Sequence, residues 1–288
     1  MNNYLLYTES TADLAPDMIA DLDINVIPMI FRIDDKDYLN HPDGSDLGFK
    51  EFYAMLREGK MSSTSQINAP FYLEEFAKPL DEGKDILYLC FSSGASGTYE
   101  QAVMAAKELN AKYGENRVVV IDTKAASMGQ GLVVYTAAKM RKDGDDINKV
   151  AGYIKDNLQK FCHRFTVDDL NHLKRGGRLS APQAFLGTIL NVKPVLHVNS
   201  EGKLVPILKA RGRKKSIDAL ADFVVRGHTD NTNIFISHGD CIEDAELLAN
   251  ILREKINPKN IAINYIGPVI GSHSGPGTLA VFYIGKER

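Results

Sequence analysis

Short apolar runs alternate with helical patterns through the first half of the chain, and this alternation restricts its fold more than any other feature. Strands are predicted at residues 4–7, 25–33, 86–91 and 117–122. Helices are predicted at 17–22, 49–58, 96–114, 126–141 and 147–158. This order is typical of a parallel sheet with helices on both faces. The first half is therefore predicted to be an α/β, Rossmann-like domain.

The second half is richer in strand-like runs. They fall at 161–167, 192–198, 204–209, 233–237, 261–266 and 279–285, and helices fit at 215–225 and 243–256. Many strands with few helices indicate a smaller C-terminal α+β domain. We place the boundary at residue 160, which gives an N-terminal domain of residues 1–160 and a C-terminal domain of residues 161–288.

Composition excludes several classes of protein. The chain has 288 residues, of which 44% are hydrophobic and 25% charged, with a net charge of −3. A nucleic-acid-binding protein usually has a basic surplus, which is missing here. The cysteines are sparse and show no pairing pattern, and no signal peptide is visible. No apolar run is long enough to cross a bilayer. We therefore expect a cytoplasmic protein with no transmembrane segment.

Four stretches are rich in Gly, Ser and Thr: 62–66, 92–98, 176–180 and 267–277. The second lies between a predicted strand and a predicted helix, at the sheet edge where open α/β sheets bind ligands. The helix start offers free N–H groups and a partial positive charge. Gly94 lets the backbone approach a ligand closely, and Ser93 and Ser96 add hydroxyls. The stretch predicts an anion site; the alternative is a serine-rich helix cap.

The kind of anion can be narrowed by the motifs that are missing. No Gly-Lys-Ser/Thr phosphate loop and no dinucleotide fingerprint is present, so no nucleotide cofactor is predicted. The second stretch also contains no Lys or Arg. Neutral hydroxyls and amides suit a singly charged carboxylate better than a polyphosphate.

The fourth stretch contains one histidine, His273, among hydroxyls and glycines. It is a candidate to donate to an oxyanion or to act as a base, and the alternative is a loop histidine with an ordinary pKa. A hydrolase of the Gly-x-Ser-x-Gly type would need serine at the centre of 271–275, where this sequence has His273. This mismatch weakens the hydrolase interpretation, but a Ser/His acyl-ester hydrolase remains an alternative.

Three clusters of charged or metal-ligating residues also need an interpretation. The run His238-Gly239-Asp240-Cys241 is interpreted as a strand end with a turn. Its ligands are too close in sequence to converge on a metal, so no metal site is predicted. Asp168 and Asp169 are predicted to start a turn or helix. One basic cluster is either a solvated helix start or a docking surface for a partner; it consists of Arg211, Arg213, Lys214 and Lys215.

Taken together, five motifs in order resemble those of the DegV family, which includes the fatty-acid-binding subunit of bacterial fatty acid kinase. They are Glu-Ser-Thr-Ala-Asp-Leu at 9–14, Thr-Ser-Gln at 64–66, Ser-Ser-Gly-Ala-Ser-Gly-Thr-Tyr at 92–99, Leu-Lys-Arg-Gly-Gly-Arg-Leu-Ser at 173–180, and the stretch 267–277. Among the departures from the family pattern, Glu9 replaces Asp, Ala95 replaces Leu, and Ile67 follows Gln66 where Pro is usual.

The resemblance implies a long-chain fatty acid bound between two domains, with its tail in the C-terminal domain. It implies that Thr64, Ser65, Ser93 and His273 surround the carboxylate, and we add the neighbouring Gly94, Ser96 and Ser274. It also implies a partner, the catalytic subunit of a fatty acid kinase, which phosphorylates the bound acid to an acyl phosphate. The chain itself would then be a carrier and not an enzyme. A lipid-sensing regulator is the further alternative.

Overall fold

The computed structural model describes residues 4–180, 192–229 and 233–288. Its strands are β1 (Tyr4–Glu9), β2 (Ile24–Ile27), β3 (Met29–Ile33), β4 (Lys36–Asn40), β5 (Ser62–Thr64), β6 (Asp85–Cys90), β7 (Val118–Asp122), β8 (Phe161–Thr166), β9 (Val192–Val198), β10 (Leu204–Arg211), β11 (Asn233–His238), β12 (Asn260–Tyr265) and β13 (Leu279–Ile284). Its α-helices are α1 (Pro16–Asp21), α2 (Phe49–Arg57), α3 (Ala69–Asp81), α4 (Thr98–Tyr113), α5 (Met128–Lys142), α6 (Ile147–Asn157), α7 (Leu170–Arg175), α8 (Arg213–Gly227), α9 (Ile242–Ile256) and α10 (Pro268–Ser274).

The N-terminal sheet has the order β2-β1-β6-β7, and every neighbouring pair in it is parallel. One of its two central strands, β6, has the sequence Asp-Ile-Leu-Tyr-Leu-Cys, and all but its first residue are buried. Such continuous apolar strands are typical of parallel sheets that are covered on both faces. The predicted α/β architecture of this half is confirmed, and the carboxyl ends of β6 and β7 lie at the same edge.

A small antiparallel sheet, β4-β3-β5, was not predicted. The run 25–33 was expected to form one strand, and this is wrong because Pro28 divides it. Before the proline, β2 pairs with β1, and after it β3 pairs with β4 and β5. Proline has no N–H for a sheet hydrogen bond, so it suits the change from one sheet to another. The register Phe31 to Thr64 holds Thr64 at the end of β5.

The large sheet has the order β10-β9-β8-β13-β11-β12 and is mixed, with only β11 and β12 parallel. Alternate side chains of its strands enter two different cores. Phe165, Ala280 and Phe282 pack with α5, whereas Val281 and Tyr283 pack with α8 and α9. The sheet begins at Phe161, directly after the predicted boundary. Division of the chain into two independent domains stays a prediction.

The stretch 267–277 was assigned to no helix or strand, and its first part forms α10. Pro268 occupies the first helical turn, where its missing N–H costs nothing, and Gly275 ends the helix with a φ of +80°. Tyr53 on α2 donates to the carbonyl of Ile266 at 2.8 Å. Side chains of α10 therefore occupy defined positions beside β5 and α7. Within the described residues, no helix has the length and apolar character needed to span a membrane.

Candidate functional site

A cavity of about 290 Å³ lies where the carboxyl edge of the N-terminal sheet meets α10 and the large sheet. Most of its wall is aliphatic or aromatic, with contributions from Met29, Phe91, Phe165, Leu173, Val198, Leu204, Ile266, Val269, Ile270, Ala280 and Phe282. Many of the polar lining side chains gather beside α10: Thr64, Ser65, Gln66, Ser96, Arg178, His273 and Ser274. The other polar lining side chains are Ser127, His163 and Thr278. The cavity therefore has one polar end and a long apolar wall, a combination suited to an amphipathic ligand.

Thr64 and His273 form the centre of the polar end. The Thr64 hydroxyl lies 2.8 Å from Nε2 of His273, although the two residues are 209 positions apart in sequence. Ser65 and Gln66 follow Thr64, and both are exposed, so they lie at the mouth of the cavity. The pairing of β5 with β3 and the position of α10 together produce this contact, which no local sequence pattern could predict.

His273 is a neutral, partly buried imidazole on α10 and not the ordinary loop histidine considered above. Burial lowers its pKa to about 4, and the nearby positive charge of Arg178 acts in the same direction. Within the described part of the chain, its Nδ1 is buried without a hydrogen-bond partner, and so is the hydroxyl of Ser274. A side chain at Gly176 would overlap the imidazole ring, which explains the need for glycine there. The Nδ1 atom packs against Gly176, and the Ser274 side chain lines the cavity.

Arg178 is a site residue that the sequence reasoning did not include. It follows Gly176-Gly177, and among the described lining residues it is the one Lys or Arg. Nε donates to the carbonyl of Ala95 at 2.9 Å, and Nη1 donates to the carbonyl of Gly176 at 2.5 Å. These bonds fix the guanidinium before any ligand arrives. The glycine pair next to an arginine was the available signal.

A second hollow of about 240 Å³ lies on the outer side of the same polar groups. It shares Thr64, Arg178 and His273 with the first cavity, and Lys60 and Arg175 also line it. Both Lys60 and Arg175 are at least partly exposed to solvent. The polar end can therefore be reached by a second, more basic route.

Of the site residues predicted in the loop between β6 and α4, one lines the cavity and two do not. Ser96 lines the cavity, and its hydroxyl also accepts from the amide of Thr98. Ser93 and Gly94 do not line it. The Ser93 hydroxyl accepts from Nζ of Lys124 at 2.7 Å, and a side chain at Gly94 would overlap the backbone at Gly202. A role for Ser93 in binding the carboxylate stays a prediction, and its contacts point away from the cavity.

Two buried carboxyls hold the backbone around the cavity. Glu9 accepts from the amide of Phe91 at 2.5 Å and from the hydroxyl of Tyr88 at 2.6 Å, and burial raises its pKa to about 7. Asp13 accepts from the hydroxyl of Ser127 at 2.5 Å and from the amide of Gly267, and burial raises its pKa to about 7 as well. Glu9 thus anchors the end of β6, and Asp13 anchors the start of α10.

The basic cluster lies at the turn from β10 to α8. Arg211, Lys214 and Lys215 are exposed there. Arg213 differs, because its Nε donates to Asp244 at 2.8 Å and it is only about one-fifth exposed. The cluster therefore consists of three solvated charges and one arginine that ties α8 to α9. Its use as a docking surface stays a prediction.

The other clusters considered in the sequence, Asp168 with Asp169 and the run 238–241, make structural contacts. Asp169 accepts from the amide of Asn171 and caps α7, as predicted, and Asp168 pairs with Lys193. His238 packs against the ring of Tyr265, and Asp240 pairs with Arg57 of α2. Cys241 is a free cysteine just before α9. The run 238–241 consists of the last residue of β11 and the turn before α9, as the sequence indicated.

Comparison with known proteins identifies the family. The DegV family model matches residues 5–286. A DegV domain-containing protein of Clostridium perfringens is 48% identical, and the match covers 100% of this chain and 99% of that protein. A DegV family protein from Thermus thermophilus, for which fatty acid binding is described, has a TM-score of 0.88 at 30% identity and covers 98% of this chain and 99% of its own. DegV of Bacillus subtilis, a fatty acid binding protein, has a TM-score of 0.83 at 28% identity and covers 99% of this chain and 100% of its own. This chain therefore belongs to the DegV family.

Proposed function

We propose that this protein binds a long-chain fatty acid in the 290 Å³ cavity and presents it to a partner kinase. One observation carries the first part: a single cavity has polar groups at one end and apolar walls along the rest. The fatty acid binding described for the relatives from Thermus thermophilus and Bacillus subtilis supports the same ligand class.

The carboxylate lies at the polar end of the cavity. A buried carboxylate is costly unless hydrogen bonds reach its oxygens. Thr64 and Ser274 offer hydroxyls, and Arg178 offers a positive charge that its two backbone bonds hold in place. His273 reaches the same end as a neutral ring with one nitrogen unpaired among the described residues. One charge and several neutral donors match a singly charged head group.

The acyl chain follows the apolar wall into the C-terminal half. Phe165, Val198 and Phe282 belong to the large sheet and line this part of the cavity. Burial of each CH₂ contributes about 0.8 kcal/mol, so a long chain gains on the order of 10 kcal/mol before losses. Ordering of the flexible chain removes part of this gain. The tail therefore supplies affinity, and the polar end supplies orientation.

Presentation to a kinase is supported by the second hollow. It reaches Thr64, Arg178 and His273 from outside, so a phosphoryl donor can approach the carboxylate while the tail stays buried. Arg175 would attract a negatively charged donor at that entrance, where Lys60, which pairs with Asp34 at 3.3 Å, also lies. The exposed Arg211, Lys214 and Lys215 offer a surface for an acidic face of the kinase.

The hydrolase alternative depends on the contact between Thr64 and His273, which resembles a nucleophile beside a base. Three features argue against it. The His273 pKa of about 4 makes the ring a weak base near neutral pH. No carboxylate of the described residues bonds its Nδ1, so the usual orienting group is missing. Ser272 bonds Ser62 and the carbonyl of Pro268, and not His273.

The test has two parts. First, protein purified from a bacterial host is denatured, and its ligand is identified by mass spectrometry; we expect a fatty acid. Absence of any acyl chain, together with no binding of added stearic acid, would contradict the proposal. Second, the pure chain is incubated with p-nitrophenyl acyl esters, and separately with ATP, Mg²⁺ and stearic acid. We expect no turnover, and turnover that disappears in Thr64→Ala and His273→Gln would favour the hydrolase or kinase instead.

A further inference from the structure

His163 on β8 is a polar side chain in the apolar part of the cavity. It is 0% exposed, and it lines the cavity together with Phe165 and Phe282. In the part of the chain that the structure describes, neither Nδ1 nor Nε2 has a hydrogen-bond partner. A buried histidine without partners costs stability, and most buried polar groups in proteins are paired. Its position in the cavity wall suggests that a ligand supplies the missing partner.

The surroundings of His163 leave its ring neutral. The Phe282 ring meets it edge-on with centroids 5.5 Å apart, and a side chain at Gly129 would overlap it. Burial holds the pKa of His163 well below its usual range, and the positive charges of Arg288 and Arg164 act in the same direction. The carbonyl of Phe161 favours the protonated ring but completes no hydrogen bond with it. A neutral imidazole offers one donor and one acceptor.

The strand register fixes how far His163 lies from the polar end. Phe282 pairs with His163 across β13 and β8. Thr278, four positions before Phe282, donates to the carbonyl of Ser274 at 2.9 Å. Four residues of extended strand span roughly 13 Å, which an extended acyl chain covers in about ten carbon–carbon bonds. A carboxylate bound beside Ser274 therefore brings the middle of a long chain to His163.

We propose that this cavity selects fatty acids that carry a hydroxyl group near the middle of the chain, and that His163 bonds this hydroxyl. The inference rests on the proposed function and names its ligand class more narrowly. A hydroxyl both donates and accepts, so it can pair with either tautomer of the neutral ring. An unsubstituted chain would bury the same two nitrogens without a partner.

The experiment measures the binding of two acids by isothermal titration calorimetry. One is stearic acid, and the other is stearic acid hydroxylated at roughly carbon 10 to 12, the position that the strand register indicates. We expect wild-type protein to bind the hydroxy acid about tenfold more tightly, the effect of one added hydrogen bond. In His163→Leu this order should be reversed, because the hydroxyl would enter an apolar wall without a partner. His163→Gln should restore part of the preference.

The outcomes separate the two proposals. If wild-type protein binds neither acid, the proposed function fails. If it binds stearic acid at least as tightly as the hydroxy acid, fatty acid binding stands and the selection by His163 is refuted. An ordered water on His163 in a crystal structure with stearic acid would refute it too. If His163→Leu does not fold, two isomers of the hydroxy acid are compared on wild-type protein. The isomer hydroxylated beside the carboxylate must bind less tightly than the mid-chain isomer, and equal affinity would refute the selection.

Discussion

Replacement of Arg178 by glutamine should weaken fatty acid binding without unfolding the protein. Arg178 lines both the cavity and the outer hollow, and its guanidinium bonds the carbonyls of Ala95 and Gly176. Hydrogen bonds to charged groups contribute about 1.5–3 kcal/mol each. Loss of the charge beside a bound carboxylate should therefore weaken binding of stearic acid by about ten- to a hundredfold.

The same variant should change the titration of His273, which gives an independent measurement. Burial is the larger cause of its low pKa of about 4, and Arg178 is the second. In Arg178→Gln the burial remains and the repulsion disappears, so the pKa should rise but stay below the ordinary value of 6.5. NMR titration of the imidazole protons in ligand-free protein measures this change.

Arg175→Gln is the matched control for Arg178→Gln. Arg175 is exposed, lies three residues earlier, and bonds His172 without lining the inner cavity. Calorimetry with stearic acid should give wild-type affinity for this control. The reasoning is refuted if both variants lose affinity equally, or if Arg178→Gln binds as tightly as wild type while the pKa of His273 stays unchanged.

Two further predictions concern pH and the partner. Because the pKa of Glu9 is raised from 4.5 to about 7, its contribution to stability is complete below pH 4.5 and is lost as the pH rises through 7. Between these values the unfolding free energy of wild type should fall by about 3 kcal/mol relative to Glu9→Gln in urea titrations, and parallel curves would contradict this. Reversal of charge at Arg211, Lys214 and Lys215 should slow acyl phosphate formation by the kinase but preserve fatty acid binding. Lys107→Glu, an exposed change on α4, is the control, and loss of binding in the triple variant would contradict docking.

Much of the fold could be predicted from periodicity, because strands and helices of this chain differ clearly in apolar spacing. Helix α3 and strands β4 and β5 were not predicted. Two other failures occurred where one local signal had two meanings. One strand was predicted across Pro28 because residues on both sides of it form strands, yet those strands enter different sheets. The glycines of 267–277 gave no helical signal, yet Pro268 begins a short helix and Gly275 ends it. In both cases tertiary pairing decided between alternatives that the sequence allowed.

The site was predictable as a set of stretches but not as a set of side chains. Ser93 and Ser96 are equivalent in sequence, and only the fold directs Ser96 to the cavity and Ser93 to Lys124. Arg178 was visible next to two glycines, but its bond to Ala95 joins residues 83 positions apart. His163 lies in an ordinary strand pattern, and nothing in the sequence distinguishes it from a satisfied core histidine.

The arrangement of the polar end explains why a carrier suits it better than a catalyst does. Arg178 is held by two backbone carbonyls, and Thr64 is held by the pairing of β5 with β3 and by His273. These groups fit the charge of a ground-state carboxylate, and equal binding of ground state and transition state does not accelerate a reaction. Acyl transfer also needs an activated nucleophile, and the neutral His273 is a poor base for Thr64. Under the proposed function, phosphorylation would take its nucleotide and Mg²⁺ from a partner, which the outer hollow would admit to the carboxylate while the tail stays buried.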